Sequence, residues 1–524
     1  MADALARLDP REWLPLLYLS LALGVLAWNV LVAGQVARLR RAPRAVTLLS
    51  ATVGLLLAPA IVVAVAVGTF DGARTVRGIA WLWPLACALV TLQAAWATGA
   101  RLVTSLVGVP LLAYNLLLTI VAVADWQLAA RGSAPTALLG LVAARDTVLG
   151  LFLGRAALAS PFALQLPMLV PASPARWRAS ATVRALLVLT ATAATALLLL
   201  EWPRGVGAVR SYRPWGTAQL QERPGDRFAV GLRLLPVLGD TPKAAPLRND
   251  LALLDSLAPD AVLLVLTPGV TRGAALDSIA RVVERVRGDS TALHVALRLG
   301  PDEIAEIRAR SDAGTARRIA AIERITRRLR PDVVYPAWEP VLPGIRRVAP
   351  LPLLWWRPYL VRAASTVHGV RPRTRVGLAV SRFDAADSTL HEWVHRPRLR
   401  DAASIELVAL ALAPSFSGAP ALDARLRAAA RWVGALRATR RTPVPHWIGT
   451  VAGVPRAHGE EAQAAALLHT LAWATRTPWV EGAIIGDAGD YDGATGLRAA
   501  DGRLRPAVRT VARATRGFRE RPAR

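Results

Sequence analysis

Cysteine is nearly absent from this chain of 524 residues: Cys87 is the only one, and it lies within an apolar run. No intramolecular disulfide can form, and cysteine usage carries no information on redox compartment. Lysine is as scarce. Lys243 stands alone in a Lys+Arg total of 64, so the net charge of +27 at pH 7 is an arginine charge. A basic chain can address nucleic acid or an anionic membrane. These arginines are scattered over helix faces, with neither a basic tail nor an aromatic–basic stripe, so no nucleic acid is expected as a partner. Two other signatures are missing. Leu235–Asp240, after the first strand of the C-terminal half, lacks G-x-G-x-x-G spacing, which removes the dinucleotide-binding fingerprint. The seven histidines show no metal-ligand spacing apart from the pair His391 and His395. No metal and no cofactor are expected.

Long apolar runs are what the chain has in plenty. Hydrophobic residues make up 53% of it and the mean hydropathy is +0.35, with the excess before Trp202. Trp13–Gly34 is 22 residues without a charge. That exceeds a signal-peptide core and suffices for a bilayer, which takes about 20 residues. Val46–Gly68 and Ile79–Ala100 are equally clean. Val103–Ala124 follows Arg101, and Arg184–Leu200 gives a shorter last span. Thr136–Leu158 is apolar but carries Arg145, Asp146 and Arg155. Intramembrane charges are costly and face a bundle interior or cavity. This segment therefore holds either a polar site or an Arg–Asp pair that satisfies itself. Pro161–Pro171 is apolar but broken by prolines and is expected at the interface.

Six spans leave both chain ends on one side, and the positive-inside rule assigns that side. With the N-terminus outside, the inner segments carry Arg38, Arg40, Arg41, Arg44, Arg101, Arg176, Arg178 and Arg184. The outer ones carry Arg7, Arg11, Arg74, Arg77 and Arg131. The bias is led by the dense run after the first span. It places everything after Trp202 outside the cytoplasm, on a bacterial inner membrane. Five spans would reverse the assignment.

Residues 203–227, rich in Pro, Gly and Arg, read as a linker between a helical membrane domain (1–202) and a second domain (228–518). In that second domain short apolar runs alternate with amphipathic stretches. The strand candidates are Phe228–Leu235, Ala261–Leu266, Ala292–Leu299, Asp332–Trp338, Arg375–Ser381, Ile405–Ala413, Val444–Val451 and Glu481–Gly486. Ala274–Arg287, Asp302–Leu329, Ala421–Thr439 and Glu460–Thr475 show helical periodicity. Near-continuous apolar strands alternating with helices predict a parallel sheet covered on both faces. Eight such units match an α/β (β/α)8 TIM barrel better than an open doubly wound sheet.

In such a barrel chemistry lies at the C-terminal ends of the strands. The sequence offers Arg233 there on strand one, Arg298 on strand three, and Trp338 and Glu339 on strand four. Strand six ends in Ser415, Phe416 and Ser417. Strand seven carries His446 and Trp447, and strand eight Asp487, Asp490, Tyr491 and Asp492. Aromatic faces stack on pyranose rings and carboxylates do acid–base work, so this rim suits a saccharide.

Residues 228–516 resemble the clan A glycoside hydrolases, retaining (β/α)8 enzymes. In that clan the acid/base glutamate lies at the tip of strand four, usually after Asn and often before Pro. The run Ala337-Trp338-Glu339-Pro340 puts Glu339 in that place. Glu460, Glu461 and Gln463 resemble the helix after strand seven, and the stretch from Gly482 to Ala507 resembles strand eight and its loop. Two positions depart from the pattern. Trp338 replaces the expected Asn, and Gly449 and Thr450 stand where the strand-seven nucleophile belongs. A retaining mechanism needs two carboxyl groups about 5–5.5 Å apart, and an inverting one about 6.5–9.5 Å. Asp487 or Asp490 would have to serve as the partner of Glu339.

The expected protein is a membrane-anchored, glycoside hydrolase-like barrel acting on or binding cell-surface or periplasmic polysaccharide or oligosaccharide. The candidate catalytic residues are Glu339, Asp487 and Asp490. The candidate saccharide contacts are Arg233, Arg298, Trp338, His446, Trp447 and Tyr491. The alternative is the same barrel without catalysis, as a glycan-binding or scaffold module on the bundle. The lipid bilayer is the other partner. A remote alternative is a zinc peptidase: His391-Glu392-Trp393-Val394-His395 satisfies the H-E-x-x-H pattern. A Pro-broken basic run follows it, where a site-forming helix and a third ligand would be needed.

Overall fold

The computed structural model describes residues 10–519 except 37–43, 68–74, 154–165, 172–177, 221–227, 235–243, 272, 288–290, 300–302, 304, 307–308, 310, 339–352, 381–404, 413–417, 438–443, 452–454 and 491–494. The N-terminal part is a helical bundle whose α-helices, among the described residues, are α1 (Pro10–Val36), α2 (Arg44–Val67), α3 (Leu82–Gly99), α4 (Ser105–Arg131), α5 (Thr136–Leu153) and α6 (Arg178–Arg210). Five stretches among the described residues are long and apolar enough to cross a membrane: Leu16–Gly34, Thr47–Ala66, Arg77–Gly99, Ser105–Arg131 and Ala181–Thr217. Leu48, Leu55, Leu106 and Leu200 stay exposed on their outer faces. A bundle in water would cover such surface.

The charges of α5 are satisfied inside the bundle. The Arg145 guanidinium forks onto both oxygens of Asp125 on α4, and its Nε donates to Asp146 at 2.9 Å. All three side chains are buried. Asp125 lies one residue past the span expected to end at Ala124; α4 runs two turns further, to Arg131, and brings it into reach. Gly140 of α5 and Gly205 of α6 let the two helices touch backbone to backbone: a Cβ on Gly205 would run into the Gly140 carbonyl oxygen. Small residues permit such close approach between membrane helices. α6 also corrects the expected linker boundary, because Pro203 lies within the helix, which continues to Arg210.

The proline-broken segment expected at the interface is instead threaded through the bundle over its described part, residues 166–171. Leu166, Met168, Leu169 and Val170 are buried in the same apolar cluster as Trp28 and Leu111. Three buried amides, one on each of α1, α3 and α4, act as a substitute strand. Asn115 donates to the Met168 carbonyl at 2.8 Å and accepts from its N–H at 2.9 Å. Asn29 donates to the Pro167 carbonyl at 2.7 Å and accepts from the Leu169 N–H at 2.9 Å. Gln93 does both for Val170, at 2.8 and 3.0 Å. Trp28 and Tyr114 donate to the Leu169 and Leu166 carbonyls. Irregular backbone is tolerated at membrane depth only where protein groups satisfy it, and proline itself brings no N–H to satisfy.

All eight expected strands are present: β1 (Ala229–Arg233), β2 (Ala261–Leu266), β3 (Ala292–Leu297), β4 (Val333–Tyr335), β5 (Arg375–Val380), β6 (Leu407–Ala411), β7 (His446–Val451) and β8 (Val480–Ile485). Neighbours pair in parallel throughout, and β1 pairs with β8 to close the barrel. The covering helices are α7 (Ala244–Leu257), α8 (Gly273–Val286), α9 (Asp312–Leu329), α10 (Leu353–Val370), α11 (Ala419–Arg437), the short α12 (Pro455–His458), α13 (Glu460–Arg476) and α14 (Ala507–Arg519). Carboxylates just ahead of alternate strands clip the N-terminal end of the sheet. Asp260 accepts from Val230 N at 3.0 Å, Asp332 from Leu293 N at 2.8 Å and Glu406 from Val376 N at 3.0 Å. The barrel interior holds its own cluster, whose large members are Tyr335, Trp338 and Trp447. Small residues opposite make room for them: a Cβ at Gly377 would strike the Tyr335 ring, and one at Gly482 would lie 2.9 Å from Trp447.

Candidate functional site at the barrel mouth

Parallel strands deliver their C-terminal ends to one face, and four of the sequence-predicted residues stand there. Arg233 ends β1, and its Nε lies 3.3 Å from Oδ1 of Asp487, two residues past β8. Asp487 is 7% exposed, and its Oδ2 accepts from the Thr495 hydroxyl at 3.1 Å. The Ala488 N–H donates to the Arg233 carbonyl at 2.9 Å, so backbone and side chain both tie β1 to the β8 loop. Arg298, one residue past β3, is exposed and forms no ion pair among the described residues. Trp338 follows the tip of β4.

Trp338 decides what this mouth can do. It is 6% exposed and stands edge-on to Tyr335 at 5.2 Å between ring centres. Its indole reaches across to β7, where a Cβ on Gly449 would lie only 3.3 Å from the ring. The two departures from the clan A pattern are therefore one packing unit: the large residue on β4 uses the space that the small residue on β7 leaves. Glu339, next in the chain, lies outside the described residues, as do Tyr491, His391, Glu392 and His395. Among the described residues no group of three His, Cys, Asp or Glu is placed to hold a metal.

Two predicted residues sit elsewhere than the rim, and a third is tied up in a loop. His446 is the first residue of β7, fully buried, with its ring edge-on to Trp479 at 5.3 Å. Trp447 follows it inside the barrel, 4.7 Å from the His294 ring. Both belong to the N-terminal end of β7, away from the mouth. The sequence places a residue on a strand but not at which end, and β7 starts at His446. Asp490 lies in the β8 loop with both oxygens taken by the Arg505 fork, at 2.7 and 2.6 Å, and it also accepts from Gly496 N at 2.9 Å. Arg503 makes a second fork onto Glu460 at 2.7 and 2.6 Å, and Arg505 Nε adds a contact there at 3.3 Å. Burial alone would lower the Arg505 pKa; the Asp490 and Glu460 carboxylates outweigh it and raise it above the ordinary arginine value. This network braces the loop.

Sequence reasoning missed two buried groups that support the mouth. Arg318 of α9 donates to Glu303 at 2.6 Å, to the Tyr359 hydroxyl at 2.7 Å and to the Pro336 carbonyl at 3.0 Å. Tyr359 of α10 donates to the same carbonyl at 2.8 Å. Together they fix the turn that presents Trp338. Ser311, Glu303 and the arginines of α9 looked like an ordinary charged helix in the sequence; only the fold turns Arg318 inward. Below Trp338, His294 of β3 is fully buried, with Nδ1 3.3 Å from the Tyr335 hydroxyl. Burial, reinforced by Arg375, pushes its pKa down to about 3, so it is neutral at physiological pH.

No protein-family model matches the chain, and no curated protein matches it. Solved structures do. The barrel resembles glycoside hydrolases in its fold. A Ruminococcus gnavus β-glucuronidase in complex with uronic isofagomine matches at 12% identity and a TM-score of 0.39, covering 55% of this chain and 51% of that one. An uncultured Clostridium sp. β-glucuronidase matches at 10% identity and 0.39, covering 57% and 53%. A GH5_18 variant from Streptomyces cattleya in complex with Manb1-4GlcNAc matches at 17% and 0.41, covering 56% and 82%. The chain thus spans about half the length of the β-glucuronidases it matches. The barrel rests on its own strand register; at such TM-scores nothing about chemistry comes over from these proteins.

Proposed function

We propose that the barrel mouth is a saccharide-binding seat carried on a membrane bundle, and that it holds its glycan without cleaving it by a retaining mechanism. The observation that carries this reading is the packing of Trp338 on Gly449. It sets an indole beside Gly449, which with Thr450 stands at the place on β7 where the clan A pattern expects its nucleophile carboxylate. What remains at the rim is an arginine–carboxylate pair, Arg233 with Asp487, and the exposed Arg298 beside a largely covered aromatic. Polar groups of this kind on an apolar floor orient a small ligand by hydrogen bonds. Glu339 serves in this reading as a hydrogen-bond acceptor for the sugar. The seat faces away from the cytoplasm of a bacterial inner membrane, a placement supported by the Arg38–Arg44 run after α1 and requiring α5 to cross as well as the five apolar stretches.

The test is a panel of soluble oligosaccharides titrated onto the full-length protein in detergent, alongside Arg233→Ala and Asp487→Asn. Wild type is expected to bind at least one of them, and each variant to weaken it by about tenfold, the loss of one hydrogen bond to a charged group. Failure of every glycan to bind wild type would remove the saccharide reading. Hydrolysis that depends on Glu339 and Asp487 together and inverts the anomeric configuration would establish an inverting glycosidase instead.

A further inference from the structure

The mouth is turned toward the membrane half. The connection after β6 meets the end of α6: the Ala419 N–H donates to Ser211 Oγ at 3.0 Å, and a Cβ on Gly418 would press on Ala208. The connection after β7 meets α4 and α5, with Glu460 against Gly132 and Gly459 close to Leu139. The connection after β8 reaches the turn before α3, where Arg77 pairs with Asp501 at 3.1 Å. These three connections leave the C-terminal ends of their strands, so the docked surface is the β6–β8 side of the mouth itself. From α6 the chain passes along the outside of α13, where Trp215 stacks on His469 at 3.8 Å, before it enters β1 at the far end.

The bundle marks where the bilayer surface lies relative to that docking. Trp81, Trp126 and Trp202 point outward near this end, 48%, 39% and 38% exposed. Tryptophans at one level of a bundle form an interfacial belt. Gly132 and Ala208, which touch the barrel, each follow a belt tryptophan by six residues. That is about 9 Å of helix at 1.5 Å per residue. Arg131, Arg204, Arg210 and Arg213 are exposed around this level. Arginines at headgroup height suit phosphate. Asp487 opens the same β8 connection that carries Asp501 onto the bundle, so the Arg233–Asp487 pair lies on the docked side of the mouth.

Resting on the saccharide reading, we infer that the glycan this mouth takes is attached to a lipid of the same membrane through a phosphate or diphosphate. A long soluble polymer meets a mouth closed along its β6–β8 side by the bundle and, below that, by the bilayer. A glycan rising from a lipid headgroup already stands at the height of the mouth. Confinement to the same membrane raises its effective concentration with no added contact, and the arginine collar takes the linking phosphate.

The experiment uses the full-length protein in lipid nanodiscs and the oligosaccharide that the soluble panel identifies, presented in two ways. One probe carries it on a diphosphate-linked polyprenyl chain within the disc; the other is the same oligosaccharide free in solution. Polyprenyl diphosphate without sugar is the control. The lipid-attached form is expected to bind tighter by about tenfold or more, with Arg233→Ala weakening both forms. Equal affinity for the two probes overturns the inference and leaves the saccharide reading standing. Binding of the lipid-attached probe that survives both Arg233→Ala and Asp487→Asn, or that the sugar-free control matches, places the seat in the bundle and also overturns it. Absence of binding to either probe removes the saccharide reading and this inference with it.

Discussion

Trp338 reaches from β4 to Gly449 on β7, and neither residue makes sense alone. An indole at that position needs a neighbour without a side chain, and a glycine in mid-strand leaves a void unless something fills it. His294, one layer below, adds a pH dependence. Its pKa falls from the ordinary 6.5 to about 3 in the folded barrel. Below pH 6.5 the unfolded chain takes up a proton that the folded one refuses. The His294 contribution is therefore complete above about pH 6.5 and is lost progressively as pH falls toward 3, by up to about 1.4 kcal/mol per pH unit. Thermal unfolding at a series of pH values should show a shallower acid limb for His294→Gln than for wild type; identical limbs would contradict the assignment. Arg318 is the other residue whose role is energetic. Arg318→Met leaves Glu303 and the Pro336 carbonyl short of a buried donor, at a cost of about 3–5 kcal/mol. Denaturant titration of the two proteins measures it. Asp487 and Arg233 were legible as rim residues because they end apolar runs. His446, Trp447 and Arg318 were not, since the end of a strand and the inward face of a charged helix are set by tertiary contacts.

At the scale of elements, the strands were readable because each is a short, mostly apolar run, and a closed parallel sheet covered on both faces demands that composition. The threaded segment 166–171 was not. Its own sequence shows prolines and apolar side chains, which fit an interfacial loop equally well. The signal lay elsewhere, in Asn29, Gln93 and Asn115, amides set among apolar neighbours within their helices. Such residues inside a bundle ask for a partner, and here the partner is backbone. Asn115→Leu leaves the N–H and carbonyl of Met168 unsatisfied in an apolar interior, at about 1–3 kcal/mol for each group. Its melting temperature in detergent should fall well below wild type, while Asn115→Asp, which still accepts from the N–H, falls less. Equal melting of Asn115→Leu and wild type would contradict the clamp. The Arg145–Asp125 fork shows a similar limit: the pairing of Arg145 was anticipated, but the partner on α4 lies just beyond the expected span.

For the molecule as a whole, the crossing number follows from the docking. α4 and α6 both end against the barrel, and α6 is 33 residues long. Its start is thus about 50 Å away at 1.5 Å per residue, and the chain must cross the bundle between them. α5, with its paired charges, is the described helix between them; counted as a crossing, it would add a sixth to the five apolar stretches. Counting Arg204, Arg210 and Arg213, at and just after the barrel end of α6, brings the barrel side level with the other at eight each. Sidedness therefore rests on the first helix, with Arg38, Arg40, Arg41 and Arg44 after it and Arg7 and Arg11 before it, and the first helix usually dominates orientation. Protease added to spheroplasts should digest the barrel and spare the bundle; a protected barrel would put it in the cytoplasm.

The central claim is that this mouth holds a glycan and does not cut it by a retaining mechanism. The most direct measurement follows binding and reducing-end release together on one sample of full-length wild type with its best oligosaccharide. Saturable binding with no release above the rate of a Glu339→Gln variant is the predicted result. Release by wild type with retention of anomeric configuration, abolished in Glu339→Gln, would contradict it.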